Sequence, residues 1–294
     1  MASADKLIKQ AEGVLARLER LLPRDDAPPD WEGSVAFRWR KRNGRGHIEP
    51  VRQVHRIALR DLQGIDAQKE LVERNTRQFV EKCPANNVLL TGARGTGKSS
   101  LVKALLNKYA AKGLRLIEVE KRDLVDLPDI VEHIYQRPER FILYCDDLSF
   151  EADEPGFKAL KVVLDGSIAA ASDNCVIYAT SNRRHLMPEF MRENLEYKHL
   201  GEEIHPSETS EEKVSLSERF GLWVSFYPFD QDDYLKIVAV WLEHFKSTAE
   251  QNETVQRAAL QWALARGSRS GRVAWQFARD WAGRHALEAG GKKR

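Results

Sequence analysis

The chain has 294 residues, enough for one large domain or two small ones, and its 42% hydrophobic and 31% charged residues describe a water-soluble globular protein rather than a chain too polar to collapse. The longest apolar runs, such as Val88 to Leu90 and Phe141 to Cys145, fall far short of the roughly 18 to 20 residues that span a bilayer, which argues against a membrane partner. Three widely separated cysteines, Cys83, Cys145 and Cys175, fit reduced thiols and neither a disulfide framework nor a zinc site, and a net charge of +2 by itself calls for no polyanionic partner.

Met1 to Gln10 has scattered charges and no apolar core of a leader peptide, so a cytoplasmic location is expected. Residues 4–22 place Leu7, Ile8, Ala11, Val14, Leu15, Leu18, Leu21 and Leu22 at helical spacing, and Pro23, Pro28 and Pro29 stop that helix. Ser34 to Arg60 carries eight Lys or Arg against one Glu, with Phe37 and Trp39 interleaved among Arg38, Arg40, Lys41 and Arg42. Alternating aromatic and basic residues can stack on bases and neutralise phosphates, so residues 34–60 are a candidate nucleic-acid segment, weighed against a plain solvated face.

Asp61 to Val80 reads as a turn and an amphipathic helix that ends before Pro84. Short apolar strands then alternate with helices, at Asn87 to Thr91, Leu114 to Val119, Phe141 to Cys145, Cys175 to Thr180 and Leu222 to Phe226. That alternation predicts a parallel sheet with crossover helices. Glu120 to Arg140 reads as a short polar connection, and Gly201 to Glu218, with six Glu against one Lys, as a solvated loop. After Pro228 three helical stretches follow, Asp232 to Phe245, Glu253 to Arg266 and Gly271 to His285, predicting a small helical domain. The expected organisation is an N-terminal helix, linker and basic segment over 1–60, an α/β domain over 61–228, a helical domain over 229–288 and a flexible tail over 289–294.

The strongest signal is Gly92-Ala93-Arg94-Gly95-Thr96-Gly97-Lys98-Ser99, a complete G-x-x-x-x-G-K-S between an apolar strand and a helix that begins with Ser100. Glycines let successive backbone N–H groups point inward at phosphate oxygens, and the following helix N-terminus adds partial positive charge. Lys98 is expected to neutralise β- and γ-phosphates and Ser99 to ligate Mg2+. A second element should bring a carboxylate to the metal from the end of a buried strand. Phe141-Ile142-Leu143-Tyr144-Cys145-Asp146-Asp147 does so, with Asp146 expected to hold Mg2+ and Asp147 to polarise the attacking water, Glu151 standing in reserve.

On these motifs, and on Arg219-Phe220-Gly221 before the fifth strand, the chain resembles the AAA+ superfamily of ATPases over about residues 61–285. It is most similar to the branch of replication initiators and helicase loaders, and within it to a bacterial family known mainly as predicted proteins. The resemblance implies an α/β P-loop NTPase fold, a five-stranded parallel sheet sandwiched by helices and followed by an all-helical lid, and ATP with Mg2+ as cofactors. It implies further that Asn182 is the polar sensor at the end of the fourth strand. Arg219 would be a finger reaching in trans to a neighbouring subunit of a homo-oligomer, and Arg272, with Arg269 as alternate, a second sensor from the lid. Ile65 in Gly64-Ile65-Asp66 would help form the adenine pocket, and Pro228-Phe229 would hinge the lid. An aromatic-glycine pore loop and a helix-turn-helix after the lid are missing from the pattern, which disfavours polypeptide threading and sequence-specific duplex reading. The expected function is an Mg2+-dependent, ATP-hydrolysing switch of assembly or remodelling. The alternatives are a nucleic-acid-associated loader and a non-hydrolysing ATP-dependent scaffold for a protein client.

Overall fold

The computed structural model describes residues 29–42, 44–149, 154–165, 173–182, 218–247 and 253–291, with side chains to 287 in the last span. The sequence-predicted helix over 4–22, Glu151 and nearly all of the acidic stretch lie outside the described residues.

Each of the five apolar runs forms a strand. They are β3 (Val88–Gly92), β4 (Leu114–Glu118), β5 (Arg140–Cys145), β6 (Cys175–Ser181) and β7 (Leu222–Phe226). Two further strands, β1 (Ala36–Arg42) and β2 (Arg45–Pro50), make an antiparallel hairpin whose first strand pairs in parallel with β4. Among the described residues the sheet therefore has seven strands in the order β2-β1-β4-β5-β6-β3-β7, of which β2 runs against the others. Parallel neighbours need long crossovers, and the crossover helices must cover both faces of such a sheet. Helices α1 (Asp66–Val80) and α2 (Lys98–Tyr109) cover one face, over Val88, Leu90, Leu116, Ile142 and Tyr178. Helices α3 (Leu127–Ile134) and α4 (Pro155–Asp165) cover the other, over Leu89, Ile117, Leu143 and Ile177.

The hairpin corrects two expectations. The sheet has seven strands rather than five, and residues 36–50 belong to the α/β unit instead of preceding it. Phe37 and Trp39 are 0% and 2% exposed, so neither ring is available to stack on a base. The alternation that suggested nucleic acid is strand alternation: Phe37 and Trp39 face the core, and Arg38 and Arg40 take the opposite face. Arg38 pairs with Glu118 at 2.6 Å, Arg40 with Glu120, and Lys41 with Asp126 at 2.7 Å. The Trp39 indole also donates to Asp126, at 2.9 Å. The connection 120–140 is not a polar loop either. A 3-10 turn over Lys121–Asp126 leads into α3, whose Leu127, Ile130 and Ile134 are fully buried, and Pro128 is accommodated in its first turn, where a helix needs no proline N–H.

The lid consists of α5 (Gln231–His244), capped by the Asp230 side chain accepting from the Asp233 amide at 2.8 Å, then α6 (Glu253–Ala265) and α7 (Gly271–Gly291). Helix α7 runs six residues past His285, into the span expected to be a tail. Among the described residues, no helix is long and apolar enough to cross a membrane.

Because Trp39 is enclosed, Trp39→Ala is expected to lower unfolding free energy by about 3–5 kcal/mol in urea denaturation. A loss below about 1 kcal/mol, the size typical of a surface change, would show the hairpin to be a detachable arm.

Candidate functional site

The glycine loop is fixed from three sides. Gly92 ends β3 at φ +127°, and a Cβ there would lie 1.9 Å from the Phe226 carbonyl oxygen of β7, so only glycine lets the two backbones approach. Gly95 and Gly97 also take positive φ, +75° and +98°, curling the chain into α2, whose first residue is Lys98. On the outer side the Gly271 amide, opening α7, donates to the Gly95 carbonyl at 2.8 Å, and Ser270 fills the space that a side chain on Gly95 would need. The lid thus rests directly on the loop.

Lys98 is buried, and its ammonium group donates to the carbonyls of Gly92 and Ala93 at 2.7 and 2.8 Å and to Asn182 Oδ1 at 3.2 Å. Thr96 Oγ1 donates to the Ala93 carbonyl at 2.8 Å. Burial lowers the Lys98 pKa, and the nearby carboxylates of Asp146 and Asp147 oppose that shift without cancelling it.

At the ends of β5 and β6 the expected residues converge. Ser99 Oγ donates to Asp146 Oδ1 at 2.9 Å. Burial would raise the Asp146 carboxyl, but hydrogen bonds from Thr180, Tyr144 and Ser99 outweigh it and hold the group below its ordinary value. Asp147 sits at φ +53°; its amide donates to Thr180 Oγ1 at 2.9 Å, Asn182 Nδ2 donates to its Oδ1, and Arg94 lies 3.7 Å from its Oδ2. Strand β6, which carries Asn182 just beyond its end, lies between β3 and β5.

These groups line one end of a cleft of about 780 Å³ between sheet and lid. Gly95 to Ser100, Arg94, Asp146, Asp147 and Asn182 line the polar end. Ile57, Leu62 and Ile65 line the apolar side together with Phe229, Trp241 and Trp275 of the lid. Ile65 is 3% exposed, and its Cδ1 would lie 3.4 Å from a Cβ placed on Gly97. Arg272 lines the cleft as well, while Arg269 is exposed outside it. Arg219 does not line its own chain's cleft and pairs instead with Asp165 of α4.

Sequence reasoning missed Ile57, Leu62, Trp241 and Trp275, which are brought together by the fold across almost the whole chain. It also missed Thr180 and Tyr144, which hold Asp146; both stand inside motifs quoted for other reasons, and for Tyr144 the available signal was a hydroxyl two positions before a strand-end acid.

The curled loop, with backbone where side chains would block it, fits a chain of phosphates. The Ser99 hydroxyl and the Asp146 carboxylate, in contact at 2.9 Å, are oxygen donors that fit a hard divalent cation such as Mg2+. A P-loop followed by a helical lid over this strand order defines the AAA+ fold. The chain belongs to the family described as "Protein of unknown function (DUF815)", whose model matches residues 32–285. Among solved structures, it is similar to a variant of Thermotoga maritima RuvB, with 13% identity and a TM-score of 0.53 over 77% of this chain and 64% of that one. It is likewise similar to Aeropyrum pernix Orc1 in complex with DNA, with 14% identity and a TM-score of 0.53 over 79% of this chain and 62% of that one. This chain therefore spans less than two thirds of either. At such identity the likeness concerns the fold. No curated protein matches the chain.

Gly92→Ala should force apart β3 and β7 at the root of the loop. The expected loss is about 2–4 kcal/mol of stability, from positive φ and overpacking together, read by urea denaturation. An unchanged midpoint would show that the close approach is not required.

Proposed function

We propose that the chain binds ATP with Mg2+ in the cleft between sheet and lid and hydrolyses it as a nucleotide-controlled switch. The observation that carries this reading is the junction of the glycine loop with the sheet end: Lys98 bridges loop carbonyls to Asn182, and Ser99 touches Asp146.

The loop amides and Lys98 bind phosphate oxygens, with the apolar side of the cleft taking the base. Ser99 and Asp146 would hold Mg2+, which supplies charge neutralisation at the phosphates when bound. Asp147, with Asn182 on one carboxylate oxygen, is placed to orient water and accept its proton. Asp147 is one methylene shorter than the Glu more usual at this position, which favours slow turnover. Arg272 adds positive charge from the lid, so the lid angle can report the nucleotide state.

Arg219 contributes in trans in a homo-oligomer, at the cleft of a neighbouring subunit, and leaves Asp165 to do so. The protein client of such an oligomer would be selected outside the cleft. The nucleic-acid-associated alternative loses the support of base stacking with the burial of Phe37 and Trp39, and Arg38, Arg40 and Lys41 are already engaged by carboxylates.

In equilibrium binding and phosphate-release assays, Lys98→Ala should weaken ATP binding at least about 10-fold. Asp147→Asn should keep the affinity and lose about 100-fold or more in kcat. Arg219→Ala should bind ATP normally and turn it over about 1,000-fold more slowly. Full turnover by Lys98→Ala would overturn the assignment, and tight binding without phosphate release by the wild type would leave only the scaffold.

A further inference from the structure

The structure assigns Tyr144 as a positioning residue for Asp146, one that ties a single carboxylate oxygen to the protein and presents the other to the cation. This rests on the reading of the cleft as an Mg2+–nucleotide site.

After Arg140, strand β5 is apolar at Phe141, Ile142, Leu143 and Cys145, and Tyr144 interrupts that run with a hydroxyl. Side chains alternate along a strand, so Ile142, Tyr144 and Asp146 share the face covered by α2. Tyr144 is 2% exposed, and its hydroxyl donates to Asp146 Oδ1 at 2.7 Å. Phenylalanine would fill the same space, so packing alone gives no reason for the hydroxyl. A buried hydroxyl needs a partner, and here the partner is the carboxylate at the mouth of the cleft.

Among the described residues three donors to Asp146 converge on that same oxygen: Tyr144 OH, Thr180 Oγ1 at 2.5 Å and Ser99 Oγ at 2.9 Å. Among the described residues no hydrogen-bond donor reaches Oδ2. Ser99 is itself an expected metal ligand, which leaves Tyr144 and Thr180 as the donors that fix the carboxylate plane independently of the ion. Thr180 does more, since its hydroxyl also accepts the Asp147 amide and so sets the two acidic residues relative to one another. Groups behind a metal ligand that fix its orientation tune affinity for the metal without touching it.

The test uses the full chain and a non-hydrolysable ATP analogue, with affinity measured calorimetrically in EDTA and across an Mg2+ series. Tyr144→Phe is expected to bind the analogue in EDTA as the wild type does. Its Mg2+ concentration for half-maximal gain in affinity should rise about 10-fold. Thr180→Val should shift the Mg2+ midpoint in the same direction, and Thr180→Ser, which keeps the hydroxyl, should restore it. An unshifted midpoint in Tyr144→Phe, or an equal loss of affinity with and without Mg2+, would overturn the assignment. Should Tyr144→Phe not fold, the Thr180→Val and Thr180→Ser pair makes the same comparison. Failure of the wild type to bind the analogue under any condition would overturn the nucleotide reading itself, a different outcome from an unshifted midpoint.

Discussion

The close approach of β3 to β7 at Gly92 is the constraint from which the site grows. With no Cβ at that position, the chain leaves the sheet pressed against the Phe226 carbonyl and turns back through Gly95 and Gly97 into α2. The turn sets Lys98 under the loop and Ser99 against Asp146. A buried ammonium group would be unfavourable alone, and here two backbone carbonyls and the Asn182 oxygen solvate it while Asp146 and Asp147 stand nearby. Strand ends, loop and first helical turn therefore form one hydrogen-bonded unit.

That unit extends outward to the lid. The Gly271 amide bonds the Gly95 carbonyl, and Arg272 follows it into the cleft, so the start of α7 meets the same loop as the proposed phosphates. On the proposed reading, phosphate bound at the loop would be sensed through this one hydrogen bond by a helix of 21 residues. The hairpin plays a different part. Its aromatics complete the core beyond β4, and the segment after it brings Ile57 and Leu62 to the apolar side of the cleft, where Asn107 of α2 holds the His55 and Ile57 carbonyls at 3.0 and 2.9 Å.

The parts legible in the sequence were those set by local pattern. Apolar runs located strands β3 to β7 to within a residue or two, and the phosphate loop announced itself by composition and context. The hairpin was hidden by its charges: Arg38, Arg40 and Lys41 look like a polyanion-binding run until Glu118, Glu120 and Asp126 are known to lie beside them. Two signals were nonetheless present, the alternation of Phe37 and Trp39 with arginines and the Asn43-Gly44 dipeptide between paired Arg42 and Arg45. Helix α3 was masked by Pro128 and its acidic neighbours, although Leu127, Ile130 and Ile134 carry helical spacing. Trp241 and Trp275 could not be read as cleft residues, because their position depends on how the lid docks.

The central claim is that the amides of the glycine loop grip a triphosphate. Amide hydrogen exchange on the full chain, with and without Mg2+ and ATP, addresses it directly. Protection concentrated in residues 93–100 and at the start of α7 is the expected result. Unchanged exchange across the loop at saturating nucleotide, or protection confined to another part of the chain, would contradict it.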